Sequence, residues 1–391
     1  MRSSQTYLTR EIGNSCTSPQ HLARRSGGES PWLVCPNSLF QTPHRMRCQI
    51  MCAQIHTTSS WEDNNSSWNY AKALDLLKKN PPEQRIDFQL PYSRYMKLVE
   101  SWSRFKVEAN ILEDPKYPRL SYNPVEQIAT VVTIQRALHE MAAVEFGFLI
   151  TLLVREYLGN HKPDEKRRIL TSGSTTRTGT HGKYAKSSNE PDGSFMYADK
   201  DHGRVLQLVT EVGFSEHYAA LLRDKDMWIQ GHDLKAVVLI CVKESPRFEK
   251  PKAAYEIKNL DVELATMRES NTVMQRNMEG EIYGPIEYHG HRWFGKFSDA
   301  FLEVWRADRK DPIRTWLIKD GRLYDPLPMT IGLKISDFFT EDGWAAANIP
   351  DSDVRFVTGE YVHILLEGRL ATAEERFAEF CKSTVGGDGQ E

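Results

Sequence analysis

The fold is decided between residues 189 and 244, which read NEPDGSFMY at 189–197, VLQLVTEVGFS at 205–215, a helical segment to about residue 230, and LKAVVLICV at 234–242. The two short apolar runs, each bounded by turn residues, are typical of strands. An amphipathic helix and a third apolar run follow them. The stretch therefore predicts a strand–strand–helix–strand unit.

Two acidic residues interrupt this apolar pattern. Asp192 opens the first predicted strand, and Glu211 lies within the second, in a run dominated by Val, Leu and Phe. Strand alternation puts Glu211 and Gly213 on the same face. An ionised carboxylate in such a strand is costly unless a metal, a cation or hydrogen bonds compensate its charge. The two acids are therefore a candidate functional site.

A short motif around these acids is shared with known nucleases. Pro191-Asp192 and, after 18 intervening residues, Glu211-Val212-Gly213 resemble the Pro-Asp…(Asp/Glu)-x-Lys signature of the restriction-endonuclease-like (PD-(D/E)XK) nuclease superfamily. The surrounding sequence is similar to uncharacterised fungal proteins of that fold. The resemblance covers roughly residues 138–244, with a weaker similarity at residues 284–306. One position departs from the motif, because Gly213 stands where the superfamily has its lysine.

The resemblance implies an α/β (α+β) fold with a restriction-endonuclease-like core of one helix, three strands, a second helix and a further strand. A length of 391 residues leaves room for more than this core. The Ser-, Thr- and Arg-rich N-terminus is expected to be disordered, or an extension introduced by the gene model. We expect five segments: a leader (1–67), an N-terminal helical support segment (68–130), the core (131–245), a C-terminal mixed extension packed on the core (246–383) and a flexible tail (384–391).

Composition and charge narrow the functional classes. The net charge is −3, so whole-protein attraction to nucleic acid is not indicated and any such binding requires a local patch. The longest apolar stretch, Met141 to Val154, is too short to span a bilayer. No secretory signal is visible and the cysteines are sparse, so we expect an intracellular protein, nuclear or cytoplasmic, without a membrane partner. Mitochondrial targeting by the Arg-rich leader is a less favoured alternative.

Helical periodicity precedes the core. Apolar spacing predicts helices from Trp68 to Lys79 and from Tyr92 to Ile111, with no catalytic group of their own. The longest helical signal runs from Asn123 to Leu158 and supplies the first helix of the core. Near the C-terminus, a last helix is predicted from Thr372 to Cys381.

The resemblance implies that the two acids hold a metal. Asp192 and Glu211 would bind one or two Mg²⁺ (or Mn²⁺) ions, for which carboxylate oxygens are suitable ligands. The backbone carbonyl of Val212 would complete the coordination sphere, as the residue after the acid does in that superfamily. Bound metal would acidify a water and stabilise charge in the transition state.

A further carboxylate ligand is expected from a neighbouring element. In some members of the superfamily a glutamate of the first helix reaches the site, and Glu140 and Glu145 both lie on the predicted helix. We favour Glu145 because apolar residues flank it, while a surface glutamate on an apolar helix is the alternative. Glu190, beside the motif, is another candidate.

The missing lysine has a candidate substitute in the helix after the second strand. Lys225 falls at helical spacing with Tyr218, Leu221 and Ile229, as the only charge in an apolar stripe directed at the sheet. One hypothesis makes it the catalytic cation beside Glu211. In the other, its stem packs while its ammonium group reaches solvent.

The most basic stretch lies immediately before Asp192. Residues 161–186 carry seven basic and two acidic side chains, a net charge of about +5. In the expected fold they form a flexible cationic loop at the mouth of the acidic site, suited to holding the phosphates of DNA or RNA. A solvated loop rich in Ser, Thr and Gly is the alternative. The candidate nucleic-acid-binding residues are Arg167, Arg168, Arg177, Lys183, Lys186 and, from the following helix, Arg223.

Three functional classes follow from these patterns. The first is a metal-dependent phosphodiester hydrolase, a nuclease-like enzyme acting on nucleic acid. The second is a catalytically inactive nuclease-fold protein that binds nucleic acid or protein, favoured by Gly213 in place of the lysine. The third is a structural or interaction protein whose acids pair internally.

Overall fold

The computed structural model describes residues 60–81, 84–111, 117–173, 175–201, 203–214, 218–252, 257–277, 284–324 and 329–385. The expected leader lies outside the described residues up to position 59, and residues 60–67 begin the first helix instead. The expected tail lies outside them from position 386, and residues 384–385 end the last helix. The predicted mixture of helices and strands is confirmed, since the described chain is an α+β protein.

The described chain contains seven α-helices and 16 strands. The helices are α1 (Ser60–Lys79), α2 (Tyr92–Glu108), α3 (Ala137–His161), α4 (Tyr218–His232), α5 (Leu260–Asn277), α6 (Glu341–Ala347) and α7 (Thr358–Val385). The strands are β1 (Arg85–Gln89), β2 (Arg119–Asn123), β3 (Ile128–Val132), β4 (Ile169–Ser172), β5 (Arg177–Thr178), β6 (Ser188–Asn189), β7 (Gly193–Asp199), β8 (Gly203–Phe214), β9 (Ala236–Ser245), β10 (Ile286–Tyr288), β11 (His291–Phe294), β12 (Lys296–Arg306), β13 (Ile313–Lys319), β14 (Arg322–Leu323), β15 (Met329–Lys334) and β16 (Asp353–Phe356).

A seven-stranded sheet forms the centre, in the order β14-β13-β12-β9-β8-β7-β4. The predicted strand–strand–helix–strand unit is confirmed as β7, β8, α4 and β9. β8 and β9 run parallel, with Glu211 opposite Leu239, because α4 carries the chain back across the sheet. β7 is antiparallel to both of its neighbours, β4 and β8. On the other side of β9, β12 to β14 extend the same sheet.

Both faces of this sheet are covered by helices. Alternate residues of β8 and β9, among them Val212 and Ile240, face a large core shared with α3 and α7. The opposite face carries Val209 and Leu239, and α4 packs there through Trp228. Burial on both faces explains why these strands read as nearly continuous apolar runs.

The longest apolar helix owes its composition to this packing. α3 is long and apolar enough to span a bilayer by length and composition alone. Leu138, Ala142, Phe146, Ile150 and Val154, spaced four residues apart, are all buried in the main core. Its apolar inner face therefore has protein partners.

The segment expected to be purely helical contains a second sheet. α1 and α2 confirm the two predicted N-terminal helices, but β1, β2 and β3 form an antiparallel sheet against them, with β3 between β1 and β2. The helix predicted from Asn123 is wrong in its first part, since a turn and β3 precede α3 at Ala137. The run Ile-Ala-Thr-Val-Val at 128–132 is rich in β-branched residues, which favour a strand over a helix.

Short strands join this second sheet to the main one. β6 pairs with β2 through Ser188 opposite Tyr122, and β5 pairs with β6, giving the order β1-β3-β2-β6-β5. The chain then passes from β6 through residues 190–192 directly into β7. Asp192 therefore lies at the junction of the two sheets.

The space beside Glu211 that a motif lysine would occupy is filled. Leu221 of α4 lies against Gly213 so closely that a Cβ atom at this position would overlap Leu221 Cδ1 and lie 3.1 Å from Cγ. Glycine therefore lets the helix sit directly on the strand, and a larger residue here would require the Leu221 side chain to shift.

Replacing Gly213 by alanine should lower the free energy of unfolding by about 1–3 kcal/mol, the usual cost of overpacking a core. Gly147→Ala is the matched control, since a Cβ there meets no atom within 4 Å and alanine favours a helix. Urea denaturation of both variants measures the difference. Equal stability of the two would contradict the close packing of α4 on β8.

Candidate functional site

Asp192 is the centre of a buried polar cluster. Its Oδ1 accepts a hydrogen bond from Arg119 Nη1 at 2.7 Å, and its Oδ2 accepts one from the backbone N–H of Val212 at 2.8 Å. His139 Nε2 lies 3.2 Å from the same Oδ2. Only 8% of Asp192 is exposed, so these N–H donors replace the water molecules that would otherwise hydrogen-bond to its carboxylate.

Charge neighbours dominate the ionisation of this cluster. Burial alone would raise the pKa of Asp192, but the cations of His139 and Arg119 hold it well below its usual range. Burial would likewise lower the pKa of His139, yet the Asp192 carboxylate raises it to about 9. His139 and Asp192 are therefore an ion pair at neutral pH, with Arg119 as a second cation.

Glu211 lies on the neighbouring strand β8, and its pKa is shifted in the opposite direction from that of Asp192. Burial raises its pKa well above the usual value, and the negative charges of Asp192 and Asp224 raise it further. Trp228 of α4 donates its indole N–H to Glu211 Oε1. Glu211 is therefore biased toward the protonated form, while Asp192 is held ionised.

A third buried acid belongs to the same group. Asp224 of α4 is 5% exposed and accepts a hydrogen bond at 2.8 Å from Arg85 Nη2 on β1. Burial raises its pKa despite this partner. Asp224 belongs to the buried face of α4, which consists of Ala220, Leu221, Asp224, Met227, Trp228 and Gly231.

The acids surround a small cavity of about 30 Å³. Its wall includes three buried N–H donors for which no acceptor of hydrogen-bond geometry exists in the described part of the chain: Arg119 Nε, His139 Nδ1 and Asn189 Nδ2. A space of this size holds one water molecule, which could accept from these donors. The cavity is therefore polar and donor-rich, with room for little else.

The structure brings together four of the residues predicted from the motif. Asp192, Glu211, Val212 and Glu190 all line the cavity. Glu190 Oε1 lies 3.4 Å from Arg119 Nε. The convergence of the two motif acids on one space follows from the β7–β8 pairing, in which Gly193 lies opposite Thr210.

Two other predicted site residues lie elsewhere. Glu145 is not part of the cavity wall and instead lies near Tyr361 of α7, whose pKa is raised by burial and further by the charge of Glu145. Lys225 pairs with Asp226, and its Nζ lies 4.3 Å from the ring centroid of Trp305 on β12. The Lys225 stem is packed, as the alternative hypothesis stated, but its ammonium group pairs with the neighbouring carboxylate of Asp226 on α4 and does not reach the acids of the motif.

His139 is the residue of α3 that lines the cavity. The neighbouring Glu140 takes part indirectly, since it accepts a hydrogen bond from the Tyr117 hydroxyl at 2.6 Å. Tyr117 in turn accepts from Arg119 Nη2 at 2.8 Å. The helix thus contributes a cation where a glutamate was expected.

The residues of the predicted basic loop do not come together at the cavity. Arg168 donates to the carbonyl of Ala198, at the end of β7 remote from Asp192, and the exposed Arg167 precedes it. Arg177 lies on β5, opposite Asn189, and Arg223 pairs with Asp87. Lys183 and Lys186 are exposed beside tyrosine rings. None of the six candidate residues lines the cavity.

The Mg²⁺ ion implied by the motif does not fit this arrangement. Both Asp192 oxygens already accept from N–H donors, and Arg119 and His139 neutralise the charge that a metal would balance. Within the described residues, no group of three or more His, Cys, Asp or Glu side chains is arranged to hold a metal ion.

Comparisons with known proteins give this site no precedent: no family model, no curated protein and no solved structure matches the chain. Function must therefore be inferred from the geometry. The site residues that the sequence did not indicate are Arg85, Arg119, His139, Asp224 and Trp228. Except for Asp224 and Trp228, which share the buried face of α4, they come from elements remote in sequence from the motif, and no local pattern distinguishes them.

The ion pair of His139 makes stability depend on pH. Because the folded-state pKa of about 9 exceeds the ordinary 6.5, His139 stabilises the fold fully below pH 6.5 and loses this effect as the pH rises through 9. Between these two values the wild type should lose about 2–3 kcal/mol of unfolding free energy relative to His139→Gln. Urea denaturation across this pH range measures the difference, and parallel stability curves would disprove the ion pair.

Proposed function

We propose that the chain is a nucleic-acid-binding protein with a restriction-endonuclease-like fold, whose acidic site does not turn over substrate. The observation that carries the proposal is the state of Asp192. Its carboxylate is neutralised by Arg119 and His139, and both of its oxygens lie against N–H donors, so the charge of Asp192 is balanced without a divalent cation.

The order of elements supports the fold assignment. α3, then the antiparallel β4, β7 and β8, then α4 and the parallel β9 follow one another as in the core expected of the nuclease superfamily. The motif acids lie on adjacent strands of this unit and line one cavity. Both features are what the resemblance led us to expect, and neither depends on the missing lysine.

The absence of turnover is supported by the position of the cations. A motif lysine would stand beside Glu211, but Leu221 fills that space against Gly213. Lys225 pairs with Asp226 and lies over Trp305, remote from the acids. Arg119 and His139 are engaged by Asp192 itself and are buried, so neither is positioned to activate a water for attack on a phosphate.

A metal-dependent phosphodiester hydrolase is the second candidate. It is favoured by the raised pKa of Glu211, which reflects two carboxylates held close together in a buried site. Perturbed pairs of this kind are common where enzymes bind metals or move protons. For this candidate to hold, Arg119 would have to leave Asp192 when substrate binds.

One experiment separates the two candidates. The full chain is incubated with labelled single- and double-stranded DNA and RNA in millimolar Mg²⁺ or Mn²⁺, and binding and cleavage are followed together. We expect retention of nucleic acid without cleavage. Glu211→Gln should leave the affinity within a factor of about two, because phosphate contacts by basic residues dominate binding. Asp192→Asn removes the charge that pairs with Arg119 and His139 and so destabilises the fold, and it is assayed at a temperature where it remains folded, at which it should bind equally well.

The same assay can overturn the proposal in two ways. Cleavage by the wild type that both variants abolish would establish the hydrolase. Failure of the folded wild type to bind any nucleic acid would leave a structural or interaction protein. Circular dichroism of each variant verifies that the substitutions leave the fold intact.

A further inference from the structure

A groove of about 720 Å³ opens beside the acidic site, at the end of the sheet where β8 and β9 finish. Phe214, the last residue of β8, and Glu244 of β9 form part of its wall. β1 of the second sheet and the first turns of α4 form another part. In sheets with parallel strands, ligands bind preferentially at this carboxyl end.

Guanidinium groups dominate the charge of the groove wall. Four arginines line it, against two acids, Asp87 and Glu244. The arginines are Arg85, Arg223, Arg247 and Arg376. The side chains of the wall thus carry two more positive than negative charges in a chain whose net charge is −3, while Asp224 and Glu126 pair with Arg85 and Arg223 from outside the wall.

The four arginines differ in how strongly the protein holds them. Arg376 is 3% exposed and donates to both oxygens of Glu244 at 2.9 and 3.1 Å, so it is a structural pair. Arg223 has a partly exposed side chain that pairs with Asp87 and lies 3.6 Å from Glu126. Arg247 follows β9 on an exposed segment. Arg223 and Arg247 are therefore the two whose charge is accessible from solvent.

Two further features show where the groove leads and which side chains it offers to a ligand. Arg85 lines both the groove and the small cavity, so the groove leads from Arg247 and Arg223 toward Asp192 and Glu211. Phe248, which is partly buried against Trp293, contributes an aromatic ring to the wall. Guanidinium groups and an aromatic ring along one groove are the means by which proteins hold single strands, through phosphate contacts and base stacking.

We propose that this groove binds a short stretch of single-stranded nucleic acid, with Arg223 and Arg247 contacting its phosphates and Phe248 stacking on a base. The inference rests on the proposed function and assigns the surface that performs it. Its volume lies in the range of sites that enclose small ligands, which suits an extended strand and leaves no room for a duplex inside the groove. The surface differs from the basic stretch at residues 161–186.

The test uses fluorescence anisotropy of the full chain with a labelled oligothymidylate and, as competitor, an unlabelled duplex. Arg223→Gln combined with Arg247→Gln should weaken binding about tenfold or more and reduce the salt slope by about 0.7 for each phosphate that the variant no longer neutralises. The control is Arg204→Gln combined with Arg309→Gln, which removes the same charge from two exposed arginines that do not line the groove. The control should bind like the wild type.

Phe248→Leu tests the stacking interaction separately, since it keeps an apolar side chain but removes the ring. It should weaken binding about fivefold or more without changing the salt slope. Three outcomes overturn the proposal. Equal weakening in the groove and control pairs would mean that binding is unspecific, while efficient competition by the duplex would exclude a single-strand site. No binding by the wild type would remove the proposed function as well.

Discussion

The burial of the Asp192 carboxylate is the constraint on which the arrangement of the chain depends. The residue stands between β6 and β7, where the chain leaves one sheet and enters the other. Its three partners are Arg119 of β2, His139 of α3 and the backbone of Val212 on β8. A buried charge is tolerated only when it is paired and hydrogen-bonded, and removing one partner of such a pair is strongly destabilising. One side chain therefore fixes the second sheet, the long helix and the main sheet relative to each other.

This arrangement also shifts the pKa values of the two motif acids in opposite directions. Asp192 receives both nearby cations and stays ionised, whereas Glu211 receives the indole N–H of Trp228 and the repulsion of its acidic neighbours. Two carboxylates in one buried site cannot both ionise without a cation between them. Here the cations lie on the Asp192 side, so the proton is left to Glu211. The resulting cluster is stable as a set of ion pairs, which is why it has no need of a metal for charge balance.

The sequence was informative where structure is local and periodic. The apolar runs around Glu211 predicted β7, β8 and β9, because strands buried on both faces are apolar throughout. The same rule failed at residues 128–132, where an apolar β-branched run next to a long helix was assigned to that helix. Within α4, the predicted inner stripe of Tyr218, Leu221 and Lys225 was displaced by about one residue from the observed face of Leu221, Asp224 and Trp228. Because of that shift, the sequence analysis placed Lys225 on the inner face of α4, where the structure has Asp224.

The cations of the site illustrate what a motif cannot predict. In the superfamily signature the lysine lies two residues after the acid, so strand alternation alone brings it to the site. Here the role of balancing charge passes to Arg119, more than 70 positions before Asp192 in sequence, and it reaches the acid only because β2 pairs with β6. Such a partner depends on a contact between two sheets and leaves no trace in local spacing. With this charge balance supplied from the second sheet, Asp192 is neutralised without a cation at position 213, where Leu221 packs α4 directly against the glycine. The cation that pairs with Asp192 therefore comes from packing between the two sheets, and the glycine at position 213 is explained by the packing of α4 on β8.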